Sequence, residues 1–322
     1  MTVASSRLTL ILIALLALGP SCTSSSSLKP GEPPSLTDAR GQPKACGSEI
    51  RSIEVNRTTL HYFECGEGEP IVFVHGTLGD LNVFRTQAQT FATRFRVISY
   101  SRRYHPPNAP PQAQDVDALS TQAADLGALV KELKATPAHL VGHSHGAYVA
   151  LALAVDHPEL VSSLVLGEPP VLPLLSRTAV GEATRQSLLR RVIDARKALE
   201  SGNREEGLRR FVDAGSGPGS FDNFPQSVRT ELVEKQAPAL RLHLTEISAL
   251  PPLDCGDLGK LKLPTLLVTG ERSPAMFLLI TAELEGCLVG ESHVMVPEAG
   301  HGMHGDNPTF YNQTVLAFLQ RR

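Results

Sequence analysis

The chain has 322 residues, 42% of them apolar and 20% charged, with 26 glycines, 24 prolines and no tryptophan. That is a globular composition, long enough for one large domain with decoration or two modest ones. Thirty basic side chains against thirty-three acidic ones, a net charge of −3, leave no positive excess to neutralise a phosphate backbone, which excludes a nucleic-acid partner bound by charge.

At the N-terminus, Arg7 precedes an apolar run from Leu8 to Leu18 that stops at Gly19-Pro20. The run is too short to span a bilayer as a mature helix but has the form of a signal-peptide core, so residues 1–21 are expected to direct export. Cys22, followed by Thr23 and the serines Ser24 to Ser27, resembles the lipidated cysteine of a bacterial lipoprotein signal, although Gly19 and Pro20 depart from that pattern. Two outcomes stay open: a membrane-anchored lipoprotein attached through Cys22, or a periplasmic or secreted protein. Residues 22–47 are Pro/Gly/Ser-rich without apolar periodicity and read as a flexible linker.

Cys46, Cys65, Cys255 and Cys287 remain, an even number that permits disulfides in an oxidising compartment. Cys46 and Cys65 flank a predicted hairpin, whereas Cys255 and Cys287 sit among apolar residues where free thiols are an equal alternative. No CxxC or HExxH spacing points to a metal. His143 and His145 straddle a turn that aims them apart, so no metal is assigned to the histidines at 143, 145, 301 and 304. His139 and His143 are expected to be packing residues.

A hairpin is predicted from Ile50–Asn56 and Leu60–Glu64 around a polar turn at Asn56-Arg57. Ile71 to Val74 is a continuous apolar run, as expected of a strand buried on both faces. A helix over 81–94, a strand over 95–100, a helix over 117–135 and a strand over 138–142 follow. Helix 146–156 leads to a strand over 161–166, and strands over 265–269 and 293–296 come much later. Strands alternating with helices mean an α/β fold with a mostly parallel sheet covered on both faces. Between Pro169 and Leu263 the alternation stops. Helical patterns over 182–215 and 227–247 flank a Gly/Pro/aromatic loop there, which predicts a helical cap. The divisions are therefore 48–170 and 263–322 for the core and 171–262 for the cap and its connection.

Gly142-His143-Ser144-His145-Gly146 matches G-x-S-x-G between an apolar strand and an Ala-rich helix. Flanking glycines allow the tight turn that raises a serine hydroxyl above the sheet edge, at a helix N-terminus that favours developing negative charge. With His75-Gly76 after the third strand and Ala299-Gly300-His301 after the last, the chain from Ser48 onward resembles the α/β-hydrolase superfamily. The resemblance implies an α/β-hydrolase fold with the cap inserted after the sixth strand, and a serine hydrolase that needs no cofactor.

Acyl transfer then assigns the roles: Ser144 as nucleophile, His301 as its base, and the backbone N–H groups of Thr77 and His145 as oxyanion donors, each worth roughly 3 kcal/mol of barrier. The acid departs from the commonest family pattern, because Ser273 stands where an Asp is expected. Glu168, after the strand ending at Leu166, keeps the order Ser, acid, His and is favoured over Glu271. Arg102, Arg103 and Tyr104 follow a strand end and are candidates to bind substrate; the alternative is that one arginine pairs with a local acid such as Asp80 or Asp115 and the rest face solvent. Phe221, Phe224 and Leu242 are expected to shape a pocket for a small-molecule acyl substrate.

The competing class is a non-catalytic ligand-binding or envelope protein on the same scaffold. A dehalogenase lacks support because Ser144 is not a carboxylate, and a dinucleotide enzyme because His75-Gly76-Thr77-Leu78-Gly79 is not G-x-G-x-x-G.

Overall fold

In the computed structural model of the protein the described residues are 46–112, 114–247 and 253–321; the expected signal peptide, Cys22 and most of the linker lie outside them. Eight strands form one sheet: β1 (Arg51–Val55), β2 (Thr58–Cys65), β3 (Pro70–Val74), β4 (Arg96–Tyr100), β5 (Ala138–His143), β6 (Val161–Gly167), β7 (Thr265–Gly270) and β8 (Ser292–Val296). Their order is β1-β2-β4-β3-β5-β6-β7-β8, with β2 antiparallel to its neighbours and every other pair parallel. The hairpin turn falls where expected. Asn56 and Arg57 both take positive φ (44° and 60°), the two-residue geometry that matches the twist of the strands it joins.

The helices are α1 (Arg85–Phe91), α2 (Leu119–Glu132), α3 (His145–Asp156), α4 (Ala179–Glu200), α5 (Arg204–Ser216), α6 (Gln226–Glu231), α7 (Ala237–Glu246), α8 (Cys255–Leu258), α9 (Ala275–Cys287), α10 (Met303–Asp306) and α11 (Pro308–Leu319). Strand residues alternate between two cores because successive side chains point to opposite faces. Val72, Val74, Leu140, Leu164 and Leu166 join the core that contains α2, α3 and the helices after β6. Ile71, Phe73, Val141, Val165 and Leu266 join the opposite core, with Phe91 of α1 and Tyr311 and Phe318 of α11. Among the described residues no helix is long and apolar enough to cross a membrane.

Several expected elements are shorter or divided. The helix predicted over 81–94 begins only at Arg85, because the Asp80 carboxylate accepts the Asn82 N–H (2.7 Å) and holds the preceding residues in a turn. The charged stretch 182–215 is two helices, α4 and α5, broken at Gly202 with φ +86° and restarted by Asn203, whose side chain caps the Glu206 N–H. Helices α9 and α11 have no counterpart among the predicted elements. The first is apolar nearly all round (Ala275-Met276-Phe277-Leu278-Leu279-Ile280), so it offers no helical stripe to read.

Cys46 and Gly47, placed by the sequence in the linker, are tied to the fold. Cys46 is bonded to Cys65 (Cα–Cα 5.4 Å) and the carbonyl of Gly47 accepts from Arg85 (3.1 Å). Cys255 and Cys287 are also a disulfide (Cα–Cα 4.9 Å) rather than free thiols, tying α8 to α9 across 32 residues. A loop of that length removes enough unfolded-chain entropy that replacing both cysteines by serine should lower stability by about 2–4 kcal/mol, read from urea unfolding. Unchanged stability would mean that the bond leaves the unfolded ensemble no more restricted.

Candidate active site

The sheet order reverses around β3, whose neighbours are β4 on one side and β5 on the other. The chain leaves β3 and β5 in different directions, and such a switch point opens a crevice at the carboxyl ends of the strands. Ser144 stands there, between the end of β5 and the first residue of α3, with φ 53° and ψ −126°. A non-glycine residue holds such a conformation only when its surroundings fix it.

Those surroundings are backbone. A Cβ on Gly146 would lie 2.1 Å from the Val74 carbonyl oxygen, and one on Gly142 would lie 2.5 Å from the Ala147 Cα. Only glycine lets α3 start so close to β3. A Cβ on Gly76 would come within 3.2 Å of the Ser144 Cβ, so the loop after β3 lies against the serine. Thr77 follows in that loop, and across the turn His145 starts α3. The first N–H groups of a helix have no partner within it, which leaves the His145 amide available to an oxyanion.

Three chain segments meet at this turn. The Ser144 N–H donates to Gly167 O (2.7 Å), next to Glu168, and His143 Nε2–H donates to the His301 carbonyl (2.7 Å). Glu168 then reaches His301 itself: its Oε2 accepts from His301 Nδ1 at 2.6 Å, while its Oε1 accepts the Gly270 N–H at 2.8 Å. Donation from Nδ1 leaves Nε2 of His301 as a proton acceptor. Phe277 of α9 stacks on the His301 ring at 4.0 Å and 8°, a flat contact that limits rotation of the imidazole.

Glu271 is elsewhere. It is exposed, and its carboxylate accepts the Glu298 N–H (2.7 Å), closing the turn before Ala299-Gly300-His301. Ser273 is buried and carries no charge, as its side chain requires.

The substrate-binding expectation for the arginines is corrected. Arg102 is 0% exposed: its Nε donates to His75 O (2.9 Å) and its Nη2 to Gly76 O (3.2 Å) and His105 Nε2 (3.1 Å). It braces the loop beneath the serine instead of facing a ligand. Arg103 forms a two-pronged pair with Asp125 of α2, 2.7 Å on each side, and neither expected partner, Asp80 nor Asp115, is used. The guanidinium of Arg103 lies 5.8 Å from the Tyr104 ring, so Tyr104 also serves this local cluster. Of the residues expected to line a pocket, Phe221 is buried under Arg209 in the core of the insertion, Leu242 is buried on α7, and Phe224 is 38% exposed.

His143 and His145 do point apart. His143 meets the rings of His301 and His304 at 4.7 Å each, whereas His145 meets His243 at 4.3 Å. His139 is a packing residue bonded to Ser163 Oγ (2.7 Å). Sequence reasoning missed Phe277, His243 and Asp117. Phe277 sits in a helix without a readable stripe, and the other two are single polar residues whose meeting depends on how the insertion folds back.

The chain belongs to the alpha/beta hydrolase fold family, whose model matches residues 69–308. It is 28% identical over 268 residues to a mouse (Mus musculus) sn-1-specific diacylglycerol lipase, ABHD11, covering 77% of this chain and 80% of that one. It is 30% identical over 132 residues to an uncharacterized hydrolase, YraK, of Bacillus subtilis, a match spanning 41% of this chain and about half (49%) of YraK. Among solved structures, an esterase from Exiguobacterium antarcticum superposes with a TM-score of 0.67 at 19% identity, covering 82% of this chain and 96% of the other.

Burial sets the charge of the histidines around the serine. Burial, and secondarily the charges of Arg102 or neighbouring histidines, holds His75, His105, His143 and His145 well below the ordinary imidazole range. His304 is pushed down to about 4, by burial first and His301 second. Below an unfolded value near 6.5 the unfolded chain binds more protons at these sites than the native one, so their contribution to stability falls as pH falls. For His304 the loss runs from about 6.5 to about 4, at up to about 1.4 kcal/mol per pH unit. The urea midpoint should therefore drop across that window, and His304→Phe should flatten the drop. A midpoint independent of pH there would contradict neutral burial.

Proposed function

We propose that this protein is an exported serine hydrolase that cleaves an ester or similar acyl bond of a small molecule through an acyl-enzyme on Ser144. The observation that carries the reading is the 2.6 Å contact between the buried Glu168 carboxylate and His301 Nδ1, beside a serine held at positive φ. His301 Nε2 takes the Ser144 proton as the hydroxyl attacks the acyl carbon, and Glu168 stabilises the imidazolium that forms. The oxyanion is received by the N–H groups of Thr77 and His145. His301 then protonates the leaving alcohol, and water, deprotonated by the same imidazole, releases the acid and regenerates Ser144.

Esterase or lipase chemistry is supported by the names of the lipase and esterase this chain resembles. Export is supported by the apolar run ahead of Cys22 and by two disulfides, which persist in oxidising compartments. One substitution separates the two forms of export: Cys22→Ser should move a lipidated protein from the membrane to the soluble fraction and leave a secreted one where it is.

A serine-directed phosphonate should label the protein at Ser144 and fail on Ser144→Ala. Turnover of aryl esters by Glu168→Gln should fall by about 10²–10⁴, while Glu271→Gln stays within a few-fold of the parent. A folded protein that neither labels nor hydrolyses aryl esters would point to ligand binding without catalysis, and full activity in Glu168→Gln would remove that residue from the triad.

A further inference from the structure

The helices between β6 and β7 touch the loop after β3 through buried polar side chains. Between α6 and α7 the chain makes a wider, π-type turn over Leu232–Gln236, ahead of Pro238 in the first turn of α7. Such turns redirect the side chains that follow them. Gln236 and His243, seven residues apart and thus on one helical face, are both buried against that loop. Gln236 Nε2 donates to Gly79 O (3.2 Å), and its Oε1 accepts from His105 Nδ1 (3.2 Å). His105 in turn meets Arg102, which holds Gly76 O. His243 places Nε2 3.4 Å from Thr77 Oγ1, and its Nδ1 lies 3.3 Å from the Asp117 carboxylate. Gln122 of α2 donates to the other Asp117 oxygen.

The Asp117 carboxylate thus stands 3.3 Å behind the His243 ring as its ion-pair partner, a longer contact than the 2.6 Å hydrogen bond from His301 to Glu168. Burial alone would raise the Asp117 carboxyl; the hydrogen bond and charge of His243, with Arg102 and Gln122, outweigh it and hold that carboxyl well below the usual carboxylate range. A buried polar pair of this kind is held only where both members are satisfied, which makes its geometry narrow. Thr77 and Gly79 lie in the loop whose amide at Thr77 is assigned to the oxyanion, so an error of position there acts on the transition state more than on the bound substrate.

We propose that Asp117, His243 and Gln236 are positioning residues for the oxyanion loop, acting through the Thr77 hydroxyl and the Gly79 carbonyl, so that turnover depends on how α7 seats. The inference rests on the serine-hydrolase reading above and concerns the same site. The insertion then completes the donor geometry from the side remote from His301.

The test is a double-mutant cycle on aryl-ester turnover. Thr77→Val keeps the shape and removes the hydroxyl; His243→Gln removes the imidazole and its link to Asp117. Each is expected to lower kcat about tenfold with KM within about threefold, and the double variant to lose little more than either single one, because both break one interaction. Thr77→Ser, which restores the hydroxyl without the methyl, should turn over several-fold faster than Thr77→Val. Losses that multiply, losses that fall on KM alone, or no loss at all overturn the proposal. Should His243→Gln fail to fold, Gln236→Met on the same helix face decides: a kcat loss supports positioning and an unchanged kcat overturns it. Phosphonate labelling of the parent and Ser144→Ala is run alongside. If Ser144→Ala retains turnover the hydrolase reading itself falls; if Ser144 is essential and the cycle is additive, only the positioning role does.

Discussion

The strand-to-helix turn at Ser144 is the constraint on which the rest of the site depends. It brings the start of α3 so near β3 that no side chain fits at Gly146, and that crowding leaves the serine only its positive-φ conformation. A helix begun at that point has the His145 N–H as its first amide, directly after the serine. The backbone hydrogen bond from Ser144 to Gly167 then draws the end of β6 to the same place, which sets Glu168 within reach of a histidine arriving after β8.

Around this turn the imidazoles divide by environment. His301 remains partly exposed and has a carboxylate behind it, whereas His75 and His145 are enclosed and kept neutral by burial. His75 shows what neutrality is used for: its Nε2 accepts the Arg102 N–H (2.9 Å) while Nδ1–H donates to Gly76 O (2.8 Å). A protonated ring would lose the first of these bonds. The loop after β3 is therefore supported on one side by His75 and Arg102 and on another by Gln236 and His243.

Residues near a strand end face a choice between substrate and scaffold, and here Arg102 and Arg103 both serve the scaffold. The fully buried guanidinium of Arg102 is held by donating to the loop carbonyls of His75 and Gly76. That one arginine here pairs with an acid was legible, but that it is Arg103 and that the acid is Asp125 was not. Asp125 lies in the second turn of α2 and becomes a neighbour only after α2 packs beside β1.

Local patterning alone determined the strands, the hairpin turn, the serine turn and the order in which Ser144, Glu168 and His301 follow one another, because each depends on neighbours within a few residues. Apolar runs, glycine spacing and the Asn-Arg turn are written in consecutive letters. Packing decided what those letters could not: that Glu168 and not Glu271 lies against His301, that Phe277 covers its ring, that Cys255 meets Cys287, and that His243 comes down on Thr77 from 166 residues away. Each of these joins segments far apart in the chain, and their meeting is fixed by sheet order and by the burial of apolar faces, neither of which any single stretch of sequence contains.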